Sequence, residues 1–245
     1  MHLFKYCKSS HGLKTHKGFV HALLATNKTK LQLIYQHPFN QQLFAGTLEQ
    51  EVFGRYLRDD FWYLHEFSLA IGQVAKRATT INPELSRQLS TLAHEVITNE
   101  QIMQLRYATH FNHHTKHQIG VTVTEYSKYL IDTAMHAEIP HALCSILPCF
   151  WIYYQLGVIN RTMHGKQNPY HDWIATYSSP DFIKVAQELA ITVQLIADKS
   201  DQTTHLQMTE FFSKSIAFEL DFFNEVYPDK SSEKHPCNET RNHSY

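Results

Sequence analysis

Glycine and proline are scarce in this 245-residue chain, eight of each. That is too few for an all-β protein built on tight turns. Basic residues are not in excess either: Lys and Arg total 22 against 23 Asp and Glu, a formal net charge of -1. No charge imbalance therefore points to nucleic acid or a membrane surface as a partner. Cysteine is sparse. Cys7, Cys144, Cys149 and Cys237 form no CxxC pair and no disulfide framework, which suits a reducing compartment. No uninterrupted apolar run reaches the roughly 18 residues of a membrane span. The stretch Met1 to Lys17 is polar and basic and lacks the apolar centre of a secretory leader. Together these features predict a soluble, cytoplasmic protein.

What the chain does have is apolar residues, 43% of the total, at helical spacing almost throughout. Thr47-Leu48-Glu49-Gln50 has the pattern of a capping box and predicts a long helix from about residue 48. Asn82-Pro83-Glu84 supplies a cap, a first-turn proline and a first-turn acid for the next helix. Further helices are expected at 122–137, from Ile139-Pro140 to about 161, at 169–177, at 180–198 behind Ser179, and after Ser200-Asp201 to just before Pro228. Strand pairs and internal repeats are not evident. The expectation is one all-α bundle over residues 25–227. It has an N-terminal extension (1–24), ordered in part at most, in which Phe19, Val20, Leu23 and Leu24 are able to dock, and a polar tail (228–245).

Polar groups on apolar stripes single out a candidate site. In the first long helix the stripe Phe53, Leu57, Leu64, Phe67, Ile71 is interrupted by Asp60, with Tyr63 on the same side and Asp59 pointing elsewhere. In the last helix Glu219 interrupts Phe212, Ile216, Phe223, Val226. In between, Ala142, Ile146, Cys149, Tyr153 and Leu156 form a stripe that carries a thiol and a phenol four residues apart. Pro148 stands beside that thiol, inside the helical pattern, where a proline costs roughly 3 kcal/mol. Taken singly, a buried cysteine is usually an inert small hydrophobe, and a lone acid often pairs with a base. Taken together, two core-facing acids, a thiol and a phenol on three helices have the composition of a pocket built between the helices of a bundle.

These residues also carry a family resemblance. Gly46-Thr47-Leu48, Phe53, Tyr56-Leu57 and Asp60-x-x-Tyr63-Leu64, with His37-Pro38-Phe39 upstream, resemble the opening of the TenA family (thiaminase II, aminopyrimidine aminohydrolase). Leu147-Pro148-Cys149-x-Trp151-x-Tyr153, Tyr170-x-x-Trp173-Ile174-x-Thr176-Tyr177 and Phe218-Glu219 with Phe222-Phe223 and Tyr227 resemble its later motifs, in order over about 36–227. The resemblance implies a heme-oxygenase-like fold without heme, with no cofactor and no metal. It also implies a homotetramer and a deep pocket for a thiamin-derived pyrimidine. Carried over position by position, Cys149 corresponds to the catalytic thiol, Glu219 to the acid on the pyrimidine ring, and Asp60 to the second catalytic acid. Tyr63, Tyr126, Tyr153 and Tyr177 correspond to the pocket lining, Tyr126 by ungapped counting back from Cys149. Two positions depart from the pattern. Asp59 replaces a glutamine, and Ser178-Ser179 replaces a Gly-Gly pair, which predicts a changed loop there. Residues 79–120 match loosely.

The implied reaction releases the amine from an aminomethyl pyrimidine and gives hydroxymethylpyrimidine. Glu219 would hold the aminopyrimidine edge in a two-point, charge-assisted contact. Cys149 would add to the ring as thiolate. Asp60 would exchange protons with the thiol or the leaving amine. No Lys, Arg or His neighbours Cys149 in sequence, so its activation has to come from across the bundle. Two other readings fit the composition. One is a metal-dependent oxidase on the same fold, suggested by eighteen histidines and the cluster His110, His113, His114, His117. Against it, Leu69 and Thr98 stand where His65-Glu66 and His94-Glu95 would need a second histidine. The other is a non-catalytic pyrimidine-binding or regulatory protein, which has no need of a thiol and both acids together.

Overall fold

The computed structural model describes residues 18–108, 118–160 and 167–227, with backbone alone at 99–106 and 108. Ten helices lie among the described residues: α1 (Phe19–Thr26), α2 (Lys28–Tyr35), α3 (Pro38–Ala45), α4 (Gln50–Ala78), α5 (Pro83–Ala108), α6 (Val121–His136), α7 (Ile139–Asn160), α8 (His171–Tyr177), α9 (Pro180–Ala197) and α10 (Gln202–Val226). There is no strand among these residues.

Local chemistry sets several of the helix starts. The Asn82 side chain accepts from the Leu85 N–H at the head of α5, Ser179 accepts from Phe182 at the head of α9, and Asp201 accepts from Thr204 at the head of α10. Each satisfies a backbone donor that the helix cannot. The expected capping box at residues 47–50 does not form. Helix α4 starts at Gln50, its N-cap Glu49 makes no side-chain cap bond, and the Thr47 hydroxyl turns back to the Gln42 carbonyl. Pro38 begins α3 and Gly46 leaves it with φ of 72°, so the preceding turn has already fixed the chain's path.

Helix α4 packs on α5 and α6, α10 packs on α7, and α7 packs on α9. Helix α7 is the central member: 14 consecutive or near-consecutive positions from His141 to Gly157 are buried. It is also long and apolar enough by composition to cross a membrane, with a mean hydropathy of 1.6, but 72% of that stretch is buried inside the bundle. A core helix passes the same compositional test. Helix α1 brings the expected extension into the fold from Phe19 onward. Val20 and Leu23 are buried, and the Val20 N–H donates to the Gln194 side chain of α9.

Candidate active site

The stripes drawn from the sequence face one another. Phe53, Leu57, Asp60, Phe67 and Ile71 of α4 are buried. So are Cys149, Tyr153 and their neighbours on α7, and Phe212, Ile216, Glu219, Phe223 and Val226 on α10. A cavity of about 770 Å³ opens between α4, α5, α7 and the α8–α9 corner. Asp60, Cys149, Phe150, Tyr153 and Tyr177 are in its wall. A second space of about 10 Å³, close to the size of one water, lies between Tyr63, Val123, Tyr126, Tyr153, Glu219 and Phe222. Tyr153 borders both spaces. Glu219 therefore stands behind Tyr153, in the smaller space, while Asp60 and Cys149 reach the larger one.

Helix geometry places these groups. Cys149 and Tyr153 sit one turn apart on α7. Pro148 lies inside that helix and has no N–H to offer the carbonyl of Cys144 four residues back. One residue further on, the Ser145 carbonyl accepts a hydrogen bond from the Ser215 hydroxyl of α10 at 2.8 Å. Ser215 and Glu219 are themselves one turn apart on α10.

Aromatic rings make the walls. Tyr63 stacks on Tyr126 with centroids 4.9 Å apart, and Tyr126 stacks on Phe218 at 4.9 Å. Tyr153 packs against Tyr177 at 4.8 Å and against Trp173 at 5.9 Å. The Tyr126 hydroxyl donates to Glu219 Oε1 at 3.2 Å. The Tyr56 hydroxyl donates to that of Tyr153 at 3.1 Å. The buried Tyr63 hydroxyl completes no hydrogen bond of ordinary geometry.

Burial dominates the electrostatics. It pushes the Cys149 thiol well above its ordinary value, and the nearby Glu219 and Asp60 charges push in the same direction. The Tyr63 hydroxyl is near enough to favour the thiolate and works against them. Glu219 is raised to about 8 by burial, with the Tyr126 hydrogen bond opposing. At neutral pH the resting site thus holds a neutral thiol and a largely protonated acid. Tyr63, Tyr126 and Tyr153 are all raised as well, by burial first.

Both departures from the family pattern have a structural outcome. Ser178 donates to the Ile174 carbonyl at 2.7 Å and closes α8, while Ser179 caps α9. The pair makes a tight, bonded corner just after Tyr177. Asp59 does point away from the stripe, but it is buried rather than solvated. It lies beside Arg58 at 3.7 Å and against Gly120, and burial raises its carboxyl. Position in sequence gave no sign of this, because the start of α6 covers Asp59 from across the chain. Tyr56, Phe222 and Ser215 also surround the site: Tyr56 and Phe222 belong to the motifs of the resemblance, whereas Ser215 carries no signal in the sequence.

The histidine cluster His110, His113, His114, His117 lies outside the described residues. Among the described residues, no three His, Cys, Asp or Glu side chains gather closely enough to hold a metal ion.

The ten described helices form the all-α, heme-oxygenase-like fold shared with solved TenA structures. Within that class, the chain belongs to the TENA/THI-4/PQQC family, whose sequence profile matches residues 25–228. It is 22% identical over 202 residues to the aminopyrimidine aminohydrolase of Halalkalibacterium halodurans, covering 80% of this chain and 89% of that one. It is 25% identical over 198 residues to the aminopyrimidine aminohydrolase of Bacillus subtilis, covering 79% and 83%. The solved structure of a TenA homologue from P. horikoshii superposes with a TM-score of 0.77 at 23% identity, over 86% of this chain and 99% of that one.

Proposed function

We propose that the protein is an aminopyrimidine hydrolase of thiamin salvage. It replaces the amine on a pyrimidine methylene with hydroxyl, and also accepts thiamin itself. The observation that carries this reading is geometric: Cys149 and Asp60 wall the large cavity, and Tyr153, which borders it, also borders the small space holding Glu219 and Tyr126. The names of the Halalkalibacterium and Bacillus relatives support the same chemistry.

The ring enters from the large cavity, and Tyr153 moves aside so that the two spaces merge around it. Apo sites commonly tighten or rearrange on binding. Tyr63, Tyr126, Tyr153 and Tyr177 enclose the ring faces. Glu219, protonated at rest, gives its proton to the ring nitrogen. The carboxylate left behind accepts from that N–H and from the exocyclic amine. The thiol proton passes to Asp60, and the sulfur adds to the electron-poor ring. The carbon–nitrogen bond at the methylene then breaks, its electron pair leaves with nitrogen, and Asp60 protonates the amine. Water adds to the methylene and its proton passes to Asp60. Sulfur departs, the ring regains aromaticity, its proton returns to Glu219, and the thiolate recovers the proton from Asp60. One water is consumed, one amine and one hydroxymethylpyrimidine leave, and no redox partner is needed.

The assembly is a homotetramer and the location cytoplasmic, both by family resemblance. Trp62 and Leu69, exposed seven residues apart on α4, offer an apolar face for contact between subunits. The test of the function is to incubate the purified protein with an aminomethyl pyrimidine and measure ammonia and hydroxymethylpyrimidine. Equal release of the two, abolished in Cys149→Ser, is expected. Tight binding without turnover would instead identify a binding protein.

A further inference from the structure

Helix α6 begins without a capping group of its own. Its N-cap is Gly120, which has no side chain to offer, and no acid occupies its first turn. Carboxylates from two other helices take up the backbone donors left over there. Glu225 of α10 accepts from the Val121 N–H through Oε1 and from the Thr122 N–H through Oε2, each at 2.8 Å. Asp59 of α4, buried beside them, draws on the Gly120 N–H. The two acids close over Gly120 from opposite helices. A Cβ there would lie 2.9 Å from Asp59 Oδ2 and 3.0 Å from Glu225 Oε2. Negative charge is favoured at this point, because a helix N-terminus carries partial positive charge. Asp59, standing where the family pattern has glutamine, adds to that charge.

One turn further along α6, the Tyr126 hydroxyl donates to Glu219 Oε1 at 3.2 Å. Glu219 and Glu225 belong to the same helix, about 9 Å apart along its axis. Helix α6 is therefore tied to α10 twice, by Glu225 at its start and by Glu219 at Tyr126. A contact of 3.2 Å is long for two oxygens, so a small slide of α6 decides whether it holds. The Tyr126 hydroxyl is also the group that opposes the effect of burial on Glu219. We propose that Glu225 is a positioning residue for Glu219: by gripping the first N–H groups of α6 it fixes the height at which Tyr126 meets the acid, with Asp59 as the second wall of the grip. The consequence for catalysis rests on the role given to Glu219 in the reaction above. Without the Tyr126 bond, the carboxylate formed when Glu219 protonates the ring loses a donor that stabilises it, and the proton is given up less readily.

The experiment reads three quantities in the wild type, Glu225→Ala, Glu225→Gln, Tyr126→Phe and the Glu225→Ala, Tyr126→Phe double variant. They are the titration midpoint of the Glu219 carboxyl, by difference infrared spectroscopy against Glu219→Gln, amide exchange at the start of α6, and kcat with KM. Glu225→Ala should speed exchange at Val121 and Thr122 several-fold. It should raise the Glu219 midpoint, by less than the roughly one pH unit expected when Tyr126→Phe removes the bond outright. It should lower kcat several-fold and leave KM within about twofold. In the Tyr126→Phe background, Glu225→Ala should move neither the midpoint nor kcat further, since its effect passes through that hydroxyl. Glu225→Gln keeps one acceptor oxygen, should fall between wild type and alanine, and guards against misfolding of the alanine variant. A midpoint that stays in place while exchange accelerates would reduce Glu225 to a helix cap and overturn the proposal. So would unchanged exchange, or effects that add in the double variant. Midpoint and exchange are read without substrate, so an absence of turnover in the wild type would sink the hydrolytic reading while these two measurements still decide the positioning role.

Discussion

The Ser215 hydroxyl of α10 donates to the Ser145 carbonyl of α7 at 2.8 Å, one turn before Glu219 on its own helix and four residues before Cys149 on the other. This bond joins the acid's helix to the thiol's helix beside the interior proline. A buried hydrogen bond of this kind contributes about 1 kcal/mol. Ser215→Ala should therefore lower the melting temperature by roughly 2–4 °C. It should also lower kcat several-fold with KM little changed, and Ser215→Thr should restore both. Loss of stability with kcat intact would limit Ser215 to holding the fold.

Glu219 should make stability depend on pH. Its carboxyl, ordinarily at 4.5, is raised to about 8 by burial. Between those values the folded protein keeps a proton that the unfolded chain releases. Folding is then favoured below about 4.5, and this contribution is lost as the pH climbs towards 8, at about 1.4 kcal/mol for each pH unit. Urea denaturation from about pH 5 to about pH 8 should show this decline in the wild type and a flatter profile in Glu219→Gln. Parallel profiles would mean that the acid is not buried and protonated as described.

Cys149 lines the cavity but is held as a neutral thiol. Its alkylation by iodoacetamide at neutral pH should run slower than that of free cysteine and accelerate into the alkaline range. Tyr63→Phe should slow it further, because the Tyr63 hydroxyl is the neighbour that favours the thiolate. Faster alkylation in that variant would reverse the sign assigned to Tyr63.

Gly157 faces the corner after α8. A Cβ there would lie 2.2 Å from the Tyr177 carbonyl oxygen, so α7 and the corner cannot both keep their places. Gly157→Ala should cost about 1–3 kcal/mol and, by shifting Tyr177, raise KM more than it lowers kcat. An unchanged KM would separate Tyr177 from substrate binding.

Much of this architecture was legible where a single helix carries its own signal. Asn82, Ser179 and Asp201 cap the helices that their side chains announce. The period of the apolar residues put Asp60, Cys149 and Glu219 on inward faces, where they lie. What escaped the sequence depends on partners distant in the chain. Thr47 bonds backwards to Gln42 instead of forwards into α4. Asp59 is covered by the start of α6, whose Val121 and Thr122 N–H groups are held by Glu225 from α10. The partition of the pocket into two spaces by Tyr153 follows from one side-chain position, which no spacing rule specifies.

The sulfur's surroundings bear on how the protein ages. A thiol kept in its hydrogen-bearing form is a poor target for peroxide, since oxidants attack the anion. Reactivity would be switched on only when a ring takes up the acid's proton and changes the local charge. The nucleophile proposed for the reaction is thus kept, between turnovers, in the form that oxidants attack slowly.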